Sequence, residues 1–344
     1  MTPIRGGTRR VADLRGMPVV ALDPLPQSPS GPAVVAIGGG HGLAQALRAM
    51  TRYAGRITAI VTVADDGGSS GRLAPALDIP PPGDIRQCLL ALTPAESVWR
   101  RLFDHRFETG DVEGHSLGNL ILAALSALEG DFELALREAE RLLGSVGAVI
   151  PAAPERLRLH ASIEGSNVAG QVAIALHRGK IDALHVEPRG ASAGPSAVDA
   201  IRTADQIVLG PGSLYTSIMA VLVVPGIVDA VNDSSAELVY VANLITQDGE
   251  TLGMDCADHL QALLDITGIR QPGTIVANKV HVSVEPPLEP LVVEPEVVET
   301  YGVDVVLADV ADPDADWPRH DPARLAAVLD RLISNQTNPG GAHP

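Results

Sequence analysis

Aromatic residues are nearly absent. They make up 3% of the 344 residues: three Phe, four Tyr and two Trp. A core of this size must therefore rest on Ala, Val, Leu and Ile, which dominate a hydrophobic content of 46%. Small and β-branched residues suit parallel strands buried on both faces. The shortage also removes the aromatic anchors that large interfaces use, and it leaves the oligomeric state open, a homo-oligomer included. Cysteine is scarce as well. Cys88 and Cys256 stand far apart and form no CxxC, which argues against a disulfide framework or a zinc site and fits a reducing cytoplasm. Lys and Arg number 25 against 42 acids, a net charge of −17. That balance excludes the basic footprint of a nucleic-acid binder, although a few arginines can still serve a phosphate locally. No apolar run reaches about 18 residues, so no membrane span is expected. Arg5, Arg9 and Arg10 precede no apolar stretch of signal-peptide length. Residues 1–30 and 335–344 show no sustained period and read as disordered tails.

What is present alternates between strand and helix. Residues 33–37 form an apolar run ending in Gly38-Gly39-Gly40, and 43–53 follow with helical spacing. Residues 57–63 read as the next strand, completing one βαβ unit. Two helices are predicted within 84–107, a buried helix over 114–128 and an amphipathic one over 131–143 with Asp131 as N-cap. In the middle, 156–163, 171–176 and 181–186 read as short strands of a small additional sheet, inserted at about 155–188. Parallel grammar then returns: strands at 206–209, 238–242, 274–277 and 303–307, helices at 213–222, 257–266 and 322–332. The pattern predicts one Rossmann-like, doubly wound α/β domain over 31–334, its sheet mostly parallel.

Several loops carry chemistry. Gly38-Gly39-Gly40-His41-Gly42-Leu43 sits where a dinucleotide fingerprint would, but Leu43 stands in the last glycine's place. The turn either admits a phosphate to a helix N-terminus or is a tight turn alone. Val63 to Arg72 holds Asp65, Asp66, Ser69, Ser70 and Arg72. Gly83-Asp84-Ile85-Arg86 follows shortly after. Guanidinium forks and backbone N–H groups suit phosphate, and carboxylates suit sugar hydroxyls. Polar turns alone, or a metal pair at Asp65 and Asp66, are the competing readings. Gly114-His115-Ser116-Leu117-Gly118 matches a nucleophile elbow, but the polar stretch before it is no strand, so Ser116 reads as a residue opening a helix. Gly165 to Gln171 has Walker A spacing without its Lys-Ser/Thr and reads as a hairpin turn. Gly210-Pro211-Gly212-Ser213 follows a buried strand, where α/β sheets collect ligands. Asn243 lies on the same rim. Arg319-His320-Asp321 precedes the last helix, where Asp321 is placed as a cap and Arg319 can meet an anion.

Taken together, GGGHGL, VTVADDGGSSGRL, PPGDIRQCLLAL, GHSLGNLIL, LGPGSLYTSI and VANLITQDGET resemble the YvcK/CofD-like family, in its gluconeogenesis-factor branch. The resemblance runs from about residue 33 to about residue 332. It implies a cytoplasmic Rossmann-like protein that binds UDP-N-acetylglucosamine and regulates peptidoglycan-precursor supply and cell shape, including stimulation of glucosamine-6-phosphate synthase. It also implies that Arg319 contributes to UDP-sugar binding. In some relatives a Ser/Thr kinase modifies a threonine just after the Arg-His-Asp string. Here that position is Pro322, leaving Ser334 or Thr337 as substitutes. The sister branch implies the alternative, a 2-phospho-L-lactate transferase that moves a phospholactyl group from a GDP carrier to a deazaflavin. A NAD-binding oxidoreductase is a third reading, weakened by the broken fingerprint.

The expected ligand set is Gly39, Gly40 and His41; Asp65, Asp66, Ser69, Ser70 and Arg72; Asp84 and Arg86; Asn119; Gly210, Gly212 and Ser213; Asn243; and Arg319. The N–H groups of Gly39, Gly40 and Gly212, with Arg319, are expected to meet the diphosphate. Asp65, Asp66 and Asn119 are expected to meet sugar or uridine hydroxyls. No catalytic residue, metal ligand or required cofactor is assigned, and GDP and NAD are the lesser nucleotide ligands.

Overall fold

Short β-branched runs set the frame. Strands β1 (Ala33–Gly38), β2 (Arg56–Val61) and β3 (Ala148–Pro151) are joined by β7 (Gln206–Leu209), β8 (Glu237–Val241), β9 (Thr274–Asn278) and β10 (Asp304–Ala308). The computed structural model describes residues 31–337. The seven strands lie in the order β10-β9-β8-β7-β1-β2-β3, and every pairing is parallel. β2, β7 and β8 are buried along nearly their whole length, as expected for strands covered on both faces. The chain runs outward from β1 to β3, then returns to β7 beside β1 and runs outward the other way. The switch point lies between β1 and β7, where open α/β sheets place their ligands.

β4 (Arg158–Ile163), β5 (Ser166–Ala169) and β6 (Ile181–Glu187) form a separate antiparallel sheet, β5-β4-β6. One continuous apolar cluster includes residues from both sheets. Of helices α1 (Gly40–Met50), α2 (Gly68–Leu77), α3 (Pro82–Leu92), α4 (Val98–Asp104), α5 (Leu117–Glu129) and α6 (Phe132–Leu143), α1, α3 and α6 pack on strands β1 to β3, and α2, α4 and α5 pack on those helices and on one another. Asp131 caps α6 by accepting from Leu134 N–H at 2.9 Å. Among the described residues no single helix is long and apolar enough to cross a membrane.

Some expectations need correction. The stretch read as a strand at 171–176 is a helix, Gln171–Leu176. The segment read as a hairpin turn contains β5. The serine-glycine run after Asp66 is helix α2, despite poor intrinsic propensity and an internal Pro75. Tertiary bonds hold it: Ser69 Oγ meets His115 Nδ1 at 2.9 Å and accepts from Asn119 Nδ2 at 3.0 Å. The helix read as buried over 114–128 is only partly so: Ile121 and Leu125 pack against the core, but the most deeply buried face is another. Gly118, Asn119, Leu122, Ala123 and Ser126 point inward, while Leu128 is 68% exposed. Close packing decides this, because a Cβ on Gly118 would lie 2.6 Å from Phe103 O. The last helix, Pro322–Thr337, extends three residues into the segment read as a C-terminal tail. The tail read at 1–30 and residues 338–344 lie outside the described residues.

Candidate functional site

Two glycine turns leave adjacent strands at the switch point. β1 feeds Gly39 and Gly40 into α1, and β7 feeds Gly210-Pro211-Gly212 into the segment Leu214–Met219. The turns press on each other. A Cβ on Gly42 would lie 2.5 Å from Pro211 O and 3.0 Å from Gly212 Cα, so α1 can approach only where the side chain is missing. Asn243, two residues past β8, staples the second turn: its Nδ2 donates to Gly212 O at 2.9 Å, and its Oδ1 accepts from Gly212 N–H at 3.1 Å.

A cleft of about 960 Å³ opens at these turns. Of the expected residues it brings together Gly39, Gly40, His41, Asp84, Gly212, Ser213, Asn243 and Arg319. Arg319 is held by Asp312, with Nε and a terminal nitrogen 2.9 and 2.8 Å from one carboxylate oxygen. Its side chain remains 57% exposed. Asp321 caps the last helix by accepting from Ala323 and Arg324 N–H groups.

The others lie elsewhere or are committed to the protein itself. Gly210 does not line the cleft. Asp65 accepts from Gly67 N–H at 2.9 Å, and Asp66 from Val172 N–H at 2.9 Å. Ser70 accepts from Gly83 N–H at 3.0 Å, and Arg72 donates to Glu113 O at 2.9 Å. Arg86 is buried and donates to Asp104 at 3.0 Å and to Phe103 O at 3.3 Å. With Ser69 and Asn119, Ser70 and Arg72 tie α2 to α3 and to the approach to α5, while Asp66 reaches the helix at 171–176 and Arg86 reaches α4. Ser116, fully buried, accepts from Asn119 N–H at 3.3 Å and acts as the N-cap of α5.

Hydrogen bonding also restricts the turns. The Gly40 N–H donates to Asp84, and the Gly212 N–H is held by Asn243. The N-terminus of Leu214–Met219, a π-helical turn, is closed by Glu250, whose Oε2 accepts from Tyr215 and Thr216 N–H groups at 3.1 and 3.3 Å. The protein's own carboxylates thus occupy places that an anion would otherwise take. Burial raises the Asp84 carboxyl from 3.8 to about 7, and the charge of Asp65 adds to the rise. Burial raises Asp65 and Glu250 as well, against opposing hydrogen bonds. His320, 5% exposed in the cleft wall, is pulled down to about 4 by burial and is therefore neutral at pH 7.

Sequence reasoning missed Trp317, which lines the cleft with 60% of its surface exposed. Its signal was rarity: one of two tryptophans, two residues before Arg319. It also missed Gln45, Gln171 and the acids Asp248, Asp314 and Asp316 of the same lining.

A family model described as "2-phospho-L-lactate transferase CofD" matches residues 34–311. The chain belongs to the CofD family. Within it, the chain is 40% identical to the "Gluconeogenesis factor" of Halalkalibacterium halodurans over 305 residues, covering 86% of this chain and 95% of the relative. It is 42% identical to the "Gluconeogenesis factor" of Bacillus subtilis over 311 residues, covering 88% and 98%. A crystal structure of a UPF0052-family protein from Bacillus halodurans superposes with a TM-score of 0.83 at 40% identity, covering 86% of this chain and 98% of that one. The shared fold is therefore the Rossmann-like arrangement described above.

Proposed function

We propose that this chain is a regulatory nucleotide-sugar-binding protein of the gluconeogenesis-factor kind, with UDP-N-acetylglucosamine as its ligand. On this reading it works in the cytoplasm, adjusting cell-wall precursor supply and cell shape, with glucosamine-6-phosphate synthase as its output partner. The observation that carries the reading is the convergence of two glycine turns, Arg319 and Trp317 on one cleft at the switch point. Its volume lies at the large end of small-molecule sites. Arg319 offers guanidinium donors to a diphosphate, and Trp317 offers a flat apolar face to a base or sugar. Gln45 offers its amide N–H groups and Gln171 its amide oxygen to hydroxyl and amide groups.

A second reading follows from the description of the matched family model: a phospholactyl-type transferase using the same cleft. Calorimetry with UDP-N-acetylglucosamine, GDP and NAD, with and without magnesium, separates the two. Saturable UDP-sugar binding with the sugar recovered unaltered supports regulation. Preference for GDP together with turnover onto a deazaflavin acceptor supports the transferase, and tight NAD binding would sink both.

A further inference from the structure

The nucleotide-sugar reading leaves one cluster of side chains unused, and it lies on the small sheet. β4 and β6 pair antiparallel with His160 directly opposite His185. Side chains alternate along a strand, so Glu187 shares the face of His185. The two imidazoles stack, with centroids 5.0 Å apart and planes inclined at 22°. One ligand atom from each of His160, His185 and Glu187 lies within 4.8 Å of the other two.

The state of His160 makes this more than proximity. The residue is 8% exposed, and neither ring nitrogen makes a hydrogen bond. Its Nε2 comes within 3.2 Å of Glu187 Oε2, but the approach is not aligned as a hydrogen bond. Buried polar atoms without partners are costly, so a ring with both nitrogens empty calls for a missing partner. Stacked rings cannot supply it, because in-plane lone pairs do not meet across parallel faces. A cation beside the pair can.

We propose that His160, His185 and Glu187 bind a divalent cation of the zinc type on the outer face of the three-stranded sheet. Two imidazoles and one carboxylate are a nitrogen-rich donor set, suited to a borderline transition ion with water in the fourth position. Magnesium and calcium prefer all-oxygen sets and are excluded. Zinc bond lengths of about 2.0–2.2 Å place tetrahedral ligands about 3.4 Å apart, so donors now as far as 4.8 Å apart must close by up to ~1.4 Å. The His160–Glu187 pair already meets this spacing at 3.2 Å, so the closure falls to the half-buried His185 ring, which must turn out of the stack to aim its lone pair at the shared ion. A bound ion would staple β4 to β6. None of the three residues lines the nucleotide cleft.

The test is equilibrium dialysis of the full chain, stripped with chelator, against zinc, with cobalt as a spectroscopic stand-in. The expected result is one equivalent of zinc, resistant to excess magnesium, and a visible cobalt spectrum typical of four-coordinate nitrogen and oxygen ligation. Glu187→Gln, an exposed change that leaves the fold intact, should weaken zinc binding by about tenfold or more. His185→Asn should abolish the cobalt spectrum while UDP-N-acetylglucosamine affinity and circular dichroism stay unchanged. Failure of the parent protein to bind zinc would overturn the proposal. So would an unchanged zinc stoichiometry and affinity in both variants, or NMR evidence that His160 merely forms a protonated ion pair with Glu187.

Discussion

Asp84→Asn is the most revealing single change. Asp84 sits beside the α1 N-terminus, takes the Gly40 N–H, and has its carboxyl raised from 3.8 to about 7 by burial and by Asp65. Between those values the unfolded chain has released the proton while the folded chain keeps it. Wild-type stability therefore falls as pH climbs from about 4 to about 7, and the loss is complete above that. At about 1.4 kcal/mol per pH unit the interval amounts to about 4 kcal/mol. The side chain is only half-buried and lines an open cleft, so water lowers the effective figure to about 1–3 kcal/mol. Asparagine keeps the acceptor for Gly40 and carries no charge. The variant should match wild type near pH 4 and exceed it by the full amount at pH 8.5, read from urea denaturation followed by far-ultraviolet circular dichroism. Without divalent cation it should also bind UDP-N-acetylglucosamine more tightly at pH 8.5, because a carboxylate facing the diphosphate has gone. A stability gap that does not grow with pH would refute the reasoning about burial. Weaker nucleotide binding would show that the ligand needs the negative charge.

Three further outcomes are expected. Arg319→Ala should weaken UDP-N-acetylglucosamine binding by about 1.5–3 kcal/mol in calorimetry, through lost charge-assisted hydrogen bonds; an unchanged dissociation constant would remove Arg319 from the site. Trp317→Ala should cost about 1–3 kcal/mol of affinity, with Trp317→Phe recovering most of it. Ligand titration that leaves the fluorescence of a Trp99→Phe background unaltered would argue against stacking on Trp317. Gly42→Ala should lower stability by about 1–3 kcal/mol, because the new Cβ meets Pro211 O, a backbone atom with little room to yield. A melting temperature equal to wild type would mean that the two glycine turns are not locked together.

Local chemistry determined much of this protein. Apolar runs announced six of the seven strands of the large sheet, though not β3, and Asp131 and Asp321 announced their helix starts through short-range capping. Six motifs in order disclosed the family, and the two glycine turns marked the rim where a ligand belongs. Such signals lie within a few residues of one another, which is the range over which propensity and capping act. Only packing decided the rest. It turned the glycine-serine run after Asp66 into a helix by bonding Ser69 to Asn119, 50 residues away. It gave the Gly40 N–H to Asp84 and the Gly212 N–H to Asn243, so donors that looked free are already bonded. It carried Trp317 and Arg319 to the mouth of a cleft begun at residue 39, and it set His160 against His185 across two strands. Each of these depends on where distant backbone comes to rest, and a burial pattern records that a side chain is inside without recording which partner meets it there.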